Sequence, residues 1–398
     1  MAEVEVLYNR ERAVRLMEKA GVEAAVATTP ENILYVTGLP LRTTNWNMQI
    51  YAVLPKDEHK KLAIIIPTNR LSVLAQKGIP DAEVYVYGTF YLQGAPGDDM
   101  TTDMEILMGL LKNRHIYDSP AQALLTAFSD LGFSREPIAV DEMRMSPTVL
   151  EEVKKNYAGQ FSFGYSLIRQ IRLVKTALEI ERIRKVAKLN EAGEMMMIQM
   201  IREGAAESEL AHAYREFAAK NDSIPGMVAV GGGPRSALPL IEEYFYNFQK
   251  GDLIRFDLCL QHNGYWADTG RTAVLGQANA RQTRTFDAIH TGWEKALSLV
   301  KPGAVASDIF NEAVAAVMAA GISDYKRQHV GHAIGLEIYD ELVLGPADHS
   351  VIEKNMVLNV EVPYYLLGFG GFQVEDTVVV TDNGWEFLTG TDRILYNC

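Results

Sequence analysis

Apolar residues recur along this chain with two periods, and the period changes near its middle. Ala13, Leu16, Met17 and Ala20 fall on one side of a helix over residues 9–20. Val22 to Ala27 predicts a buried strand, ended by the polar turn Thr28 to Asn32. Tyr51–Leu54 and Leu62–Pro67 predict further strands. Helical stretches near 103–112 and 119–131 alternate with strand-like segments at Ala82–Tyr87 and Pro137–Val140. Such alternation predicts an α/β layer covered by helices. At 165–180 the pattern changes. Leu167–Thr176 leads into a long helix from Ala177, with Ile180, Ile183, Val186, Ala187 and Asn190 at helical spacing. It runs on through Met195–Ile198, whose methionines read as gap-filling core residues. Further helices are expected at 207–220, 280–299 and 306–320, the last closed by Gly321, with strand pairs between and after them. The boundary is placed near residue 170, giving domains 1–170 and 171–398.

Two of those strand pairs carry acids on apolar runs. Leu253–Leu260 and Tyr265–Leu275 flank the turn signal Gln261-His-Asn-Gly264. With His262 and Asn263 as a two-residue loop, Asp257 and Asp268 are expected directly opposite each other. Cross-strand partners share a face with Cβ atoms about 5 Å apart. Met356–Val362 and Phe372–Val380 flank the glycine-rich Gly368–Gly371. A loop centred on Gly368 sets Glu361 opposite Glu375. Buried carboxylates that close repel unless protonated or bridged by a cation. His332, in Gly331–Gly335, adds an imidazole. Four acids and one histidine suit two hard or borderline divalent cations, and such a set makes a hydroxide nucleophile at neutral pH.

Composition narrows the setting. The chain has 398 residues, 48% hydrophobic and 22% charged, with net charge −13. That is an ordinary globular composition, without a basic stripe for nucleic acid. No apolar stretch approaches a membrane span, and the acidic N-terminus is not expected to be a signal peptide. The two cysteines, Cys259 and Cys398, fit a reducing, cytoplasmic setting. Gly231–Pro234 is glycine-rich, but no P-loop lysine follows.

These residues resemble the pita-bread metallopeptidases, the group of methionine aminopeptidase, aminopeptidase P, prolidase and creatinase. The resemblance runs from Leu173–Ile180 to Val374–Thr377, and Glu31–Gly38 is similar to the creatinase/prolidase amino-terminal domain. It implies an α/β (α+β) chain: a creatinase-like N-terminal α/β domain, then a pita-bread domain with a curved antiparallel sheet and covering helices. The family's five ligand positions fall on Asp257, Asp268, His332, Glu361 and Glu375. The family holds two divalent ions, commonly manganese, cobalt, zinc or iron. Glu361 takes the position of the general base. By resemblance the function is metal-dependent C–N hydrolysis, with an Xaa-Pro peptide as default substrate and a homodimer as default assembly. Neither nucleic acid nor membrane is an expected partner.

The surroundings of the ligand positions depart from the proline-specific pattern. Leu240 follows Pro239 where a histidine is usual. Gln328 and Tyr339 replace two more, and Gln373 replaces an arginine. Asp257-Leu-Cys259 lacks the family's glycine. His329 and Tyr339 are therefore the candidates for proton transfer or oxyanion stabilisation, with packing around the metals as the other reading. Arg235, Gln373 and Trp46, the last in a polar loop from Arg42, are candidate substrate contacts. The competing functions are a non-peptidase enzyme of the same fold (creatinase-like amidinohydrolase, cyclic amide hydrolase or lyase) and a non-catalytic binding protein.

Overall fold

The computed structural model describes residues 4–41, 48–93, 99–112 and 114–398. The chain divides into two compact units, Met1–Arg172 and Leu173–Cys398.

The first unit holds a seven-stranded sheet among the described residues. Its strands are β1 (Ala24–Ala27), β2 (Tyr51–Pro55), β3 (Leu62–Pro67), β4 (Ala82–Tyr87), β5 (Ile116–Tyr117), β6 (Ile138–Val140) and β7 (Phe161–Phe163), in the order β5-β4-β3-β2-β1-β6-β7. Every residue of β1, β2 and β3 is buried, which is why they read as unbroken apolar runs. Ala123, Leu124, Ala127 and Phe128, on the helix Pro120–Asp130, pack with Val26, Val53 and Ile65 in one core. Thr28 to Asn32, read as a turn, instead leads into a helix, Pro30–Thr37. Its signals were present: the Thr29 side chain accepts from the Asn32 amide, Pro30 opens the first turn, and Gly38 closes it at φ 71°.

The second unit is a curled antiparallel sheet with helices on one face. Its main path runs β11 (Gly331–Ala333), β12 (Val357–Glu361), β15 (Glu375–Val380), β10 (Tyr265–Val274), β9 (Leu253–His262) and β8 (Ile224–Gly232). Tyr364–Leu366 (β13) and Gly370–Phe372 (β14) extend the β12–β15 hairpin as a separate ribbon. Trp385–Phe387 (β16) adds to β15, and Leu395–Asn397 (β17) pairs parallel with β10. Leu358, Val360, Val378 and Val380 point to the helices Ala280–Leu299 and Ala306–Ala319, meeting Ile289, Trp293 and Ala313. The long helix Ala177–Gln199 opens with a reciprocal cap between Thr176 and Glu179. Midway along it, Asn190 Nδ2 donates to the Leu258 carbonyl at 2.6 Å and to Thr269 Oγ1 at 3.0 Å.

The β9–β10 register differs from the one expected. His262 pairs with Tyr265, so the loop is Asn263-Gly264, with φ 49° and 88°. A two-residue hairpin turn of this type needs positive φ at both central residues, which asparagine and glycine tolerate. Asp257 therefore lies opposite Gly270, and Asp268 opposite Cys259. The two acids are diagonal neighbours, not direct partners. They still share a face, because a slip of two residues preserves side-chain orientation while a slip of one reverses it. In the other hairpin Glu361 pairs directly with Glu375, around Gly368 at φ 84°.

Candidate metal centre

The sheet face away from the helices borders a cavity of about 450 Å³. Alternation along each strand delivers the acids to it. Asp257 comes from β9, Asp268 from β10, Glu361 from β12 and Glu375 from β15, and all four line the cavity. Gly270 makes the room: a Cβ there would lie 2.9 Å from Glu375 Oε2 and closer still to Gln373. His332 enters from the edge strand β11, fully buried, with Nε2 at 4.0 Å from Asp268 Oδ2.

Three of the four acids also have a polar residue two positions earlier in the chain: Arg255 before Asp257, Asn359 before Glu361 and Gln373 before Glu375. Arg255 Nη1 donates to Asp257 Oδ2 at 3.0 Å. Asn359 Nδ2 donates to Glu375 Oε1. Gln373 Nε2 donates to Glu375 Oε2 at 2.7 Å and stands 3.5 Å from Glu361 Oε2. Glu361 has two further neighbours, His329 Nδ1 at 3.1 Å and Arg327 Nη2 at 3.6 Å.

The electrostatics are unbalanced. Burial pushes Asp257 up to about 6 despite Arg255. Burial, then the charges of Asp257 and Glu361, push Asp268 well above the usual carboxylate range. Glu375 is raised likewise, by burial and then by Asp268. Glu361 goes the other way. Burial raises it, but His329, Arg327 and His332 together outweigh burial and hold it below its ordinary value. Burial lowers His332, leaving a neutral imidazole at pH 7. Its Nδ1 lies 3.2 Å from the Ala333 carbonyl, and donation there leaves the Nε2 lone pair facing the acids.

The donor set fits a divalent cation. One ligand atom each from Asp268, His332 and Glu375 can be chosen within 4.8 Å of one another. Asp268 Oδ1 and His332 Nε2 are buried without a hydrogen-bond partner. A buried orphan acceptor beside a buried orphan imidazole nitrogen is costly alone. It becomes favourable when a cation takes both lone pairs.

The remaining candidates divide. His329 and Tyr339 line the same cavity, with Tyr339 Oη 3.5 Å from His329 Nε2. The Tyr339 ring stacks on His332, with centroids 3.9 Å apart at 22°. Leu240 and Gln328, two of the positions that depart from the proline-specific pattern, also line the cavity. Arg235 is not among its lining residues. Its Nε is held by both Glu207 oxygens at 3.2 Å, and its guanidinium lies over the Phe245 ring. Trp46 and the rest of Arg42–Trp46 lie outside the described residues. Sequence reasoning missed Arg255, Asn359, Arg327 and Tyr365, the last of which lines the cavity with its ring against the Arg255 guanidinium. The first two were legible as polar residues sharing a strand face with an acid. Arg327 and Tyr365 have no such periodic signal.

Comparison with known proteins accounts for both units. Residues 9–174 match the creatinase/prolidase N-terminal domain, and residues 181–382 match metallopeptidase family M24. An Xaa-Pro dipeptidase of Pyrococcus furiosus is 32% identical over 258 residues, 64% of this chain and 74% of that protein. Two solved structures share the fold nearly end to end. Dipeptidase PepE from Mycobacterium ulcerans superposes with TM-score 0.77 at 23% identity, covering 98% of this chain and 96% of that one. The prolidase from Pyrococcus horikoshii OT3 gives 0.76 at 22% identity, with 97% and 99% covered. Among the described residues no helix is long and apolar enough to cross a membrane. The acids delivered by two hairpins, the orphaned imidazole nitrogen and the family match agree, and the chain belongs to metallopeptidase family M24, as a divalent-metal-dependent hydrolase of peptide C–N bonds.

Proposed function

We propose that this protein is an Xaa-Pro dipeptidase-type enzyme holding two divalent cations on Asp257, Asp268, His332, Glu361 and Glu375, with manganese, cobalt, zinc and iron as the candidate ions. The observation that carries this reading is the buried, under-neutralised acid cluster with an orphaned His332 Nε2 beside it. Bound divalent ions supply two things: a water acidic enough to attack at neutral pH, and a Lewis acid for the scissile carbonyl. This chain's residues do the rest. Glu361, kept ionised by His329 and Arg327, accepts the proton of the attacking water and passes it to the departing amine. His329 and Tyr339, 3.5 Å apart, stabilise the carbonyl oxygen as it becomes negative. Arg327 and Gln373 face the substrate. Arg327, in the cavity wall, would supply a guanidinium for the carboxylate of a short peptide. The same reading makes the protein a cytoplasmic homodimer, in keeping with two cysteines that are both free thiols.

Metal analysis of the purified protein should find about two ions per chain, and Xaa-Pro dipeptides should be cleaved when manganese or cobalt is supplied. Two bound ions without dipeptide turnover would transfer the reading to a small non-peptide amide or amidine. A folded protein that takes up no divalent ion would remove it altogether.

A further inference from the structure

The corrected β9–β10 register brings an unassigned side chain to the acids. Cys259 stands two residues after Asp257, on the same strand face, and is the cross-strand partner of Asp268. Its side chain lines the cavity with Asp257, Asp268, Glu361 and Glu375. The residue is 2% exposed and its thiol is free. Strand pairing and the shared cavity wall set this side chain among Asp257, Asp268 and Glu375. A Cβ at Gly226 on β8 would come within 2.6 Å of the Trp266 ring and 3.1 Å of Cys259 Cβ, so that glycine admits both side chains.

A cysteine in a strand is commonly a small apolar filler. This one differs in its surroundings. Its neighbours are acids, and the groups around it lack a ligand: Asp268 Oδ1 and His332 Nε2 are both buried and unpartnered. Oxygen and imidazole donors alone leave a site open to hard ions such as manganese. A sulfur donor shifts the preference toward zinc, cobalt and cadmium.

We propose that Cys259 is an additional donor to the metal centre, bonding through sulfur to a divalent cation held with Asp268 and biasing the site against manganese. The inference rests on the metal-centre reading above. In the step the S–H bond breaks, a sulfur–metal bond forms and the proton leaves to solvent, with no change of oxidation state.

Cobalt(II) is the probe, since it reports site occupancy and sulfur ligation separately. The wild-type protein, a Cys398→Ser control, and the Cys259→Ser and Cys259→Gly variants are loaded with cobalt and their absorption recorded. The expected result is an intense near-ultraviolet sulfur-to-cobalt band in the wild type and the control. Both Cys259 variants should lose it and keep the weak visible bands of bound cobalt. Zinc-over-manganese preference in competition binding should fall at least about tenfold in those variants. Visible bands with no near-ultraviolet band in the wild type, and one zinc-over-manganese ratio in all four proteins, would overturn the role of Cys259 while leaving the metal centre standing. A folded wild-type protein that binds no cobalt would overturn the metal centre and Cys259 together.

Discussion

Glu375 and Asp376 are consecutive in β15, and they enter opposite environments. Asp376 points to the helix side of the sheet. It accepts from Arg271 Nη2 and Arg393 Nε, each at 3.0 Å, and from the Thr389 hydroxyl. Beside it Glu191 accepts from the backbone amides of Gly390 and Thr391. These two acids find their partners within the protein. Glu375 points to the cavity, where its donors are the neutral amides of Asn359 and Gln373. Four carboxylates line that cavity, with Arg255 and Arg327 as the guanidinium groups beside them. The difference separates two uses of a buried acid. A satisfied acid supports the fold. An under-neutralised cluster destabilises the empty protein and is thereby prepared to bind cations.

The strongest way to break this comparison is Asp268→Asn. On the cavity side the substitution removes a ligand, so metal content should fall and peptide hydrolysis drop by at least about 10³-fold. Where pH is high enough to ionise the empty cluster, it also removes one of several mutually repelling charges. With metal chelated, the variant should therefore unfold at higher urea than the wild type, by about 1–2 kcal/mol. A chelated variant that is less stable than the wild type would mean that Asp268 is an ordinary structural acid.

Asp376→Asn applies the same chemistry to the other face and should act in the opposite sense. It leaves the buried Arg271 and the partly buried Arg393 short of their shared carboxylate. Breaking a buried pair from one side costs about 3 kcal/mol. Urea unfolding should register that loss, while metal per folded chain stays at the wild-type value. Loss of metal with unchanged stability would contradict the division of the two faces.

Much of this was legible in the sequence, for identifiable reasons. Strand parity placed Asp257, Asp268, Glu361 and Glu375 on one face, because side chains alternate and each acid sits in an apolar run. Parity does not say which face the helices cover, so the contrast between Glu375 and Asp376 was invisible until Arg271 and Arg393 were seen to converge. The β9–β10 register was misplaced by two residues because His262 was taken into the turn. The positive φ required at both turn positions favours Asn263-Gly264. Helix Pro30–Thr37 was missed because Thr28 to Asn32 was taken as a turn, although Thr29 and Pro30 are also a helix start. Arg235 was a candidate substrate contact, but its side chain is held by Glu207, which is distant in sequence. Arg327 lies on an irregular segment, where spacing says nothing about direction.

The smallest expected effect tests the helix side where it is least complete. Glu194, on the helix Ala177–Gln199, is fully buried near Arg271, Asp376 and Glu191. Burial pushes its carboxyl up from 4.5 to about 8, with Arg271 opposing and Asp376 adding to the rise. The folded state thus holds a proton that the unfolded state releases. Stability linked to this group is fully present below about pH 4.5 and is lost as pH rises through about 8. Glu194→Gln fixes the neutral form. Ionising a buried carboxylate costs several kcal/mol, and a partly satisfied buried amide costs about 1–3 kcal/mol. The variant should therefore be the more stable by about 2 kcal/mol at pH 9 and the less stable by about 1–3 kcal/mol near pH 4.5, where only the cost of the amide remains. Cavity-side acids titrate alike in both proteins, so their contribution cancels when urea midpoints are compared at each pH. A gap that does not vary with pH would show that Glu194 is already ionised and paired, which would bring it into line with Asp376 and make the helix side complete.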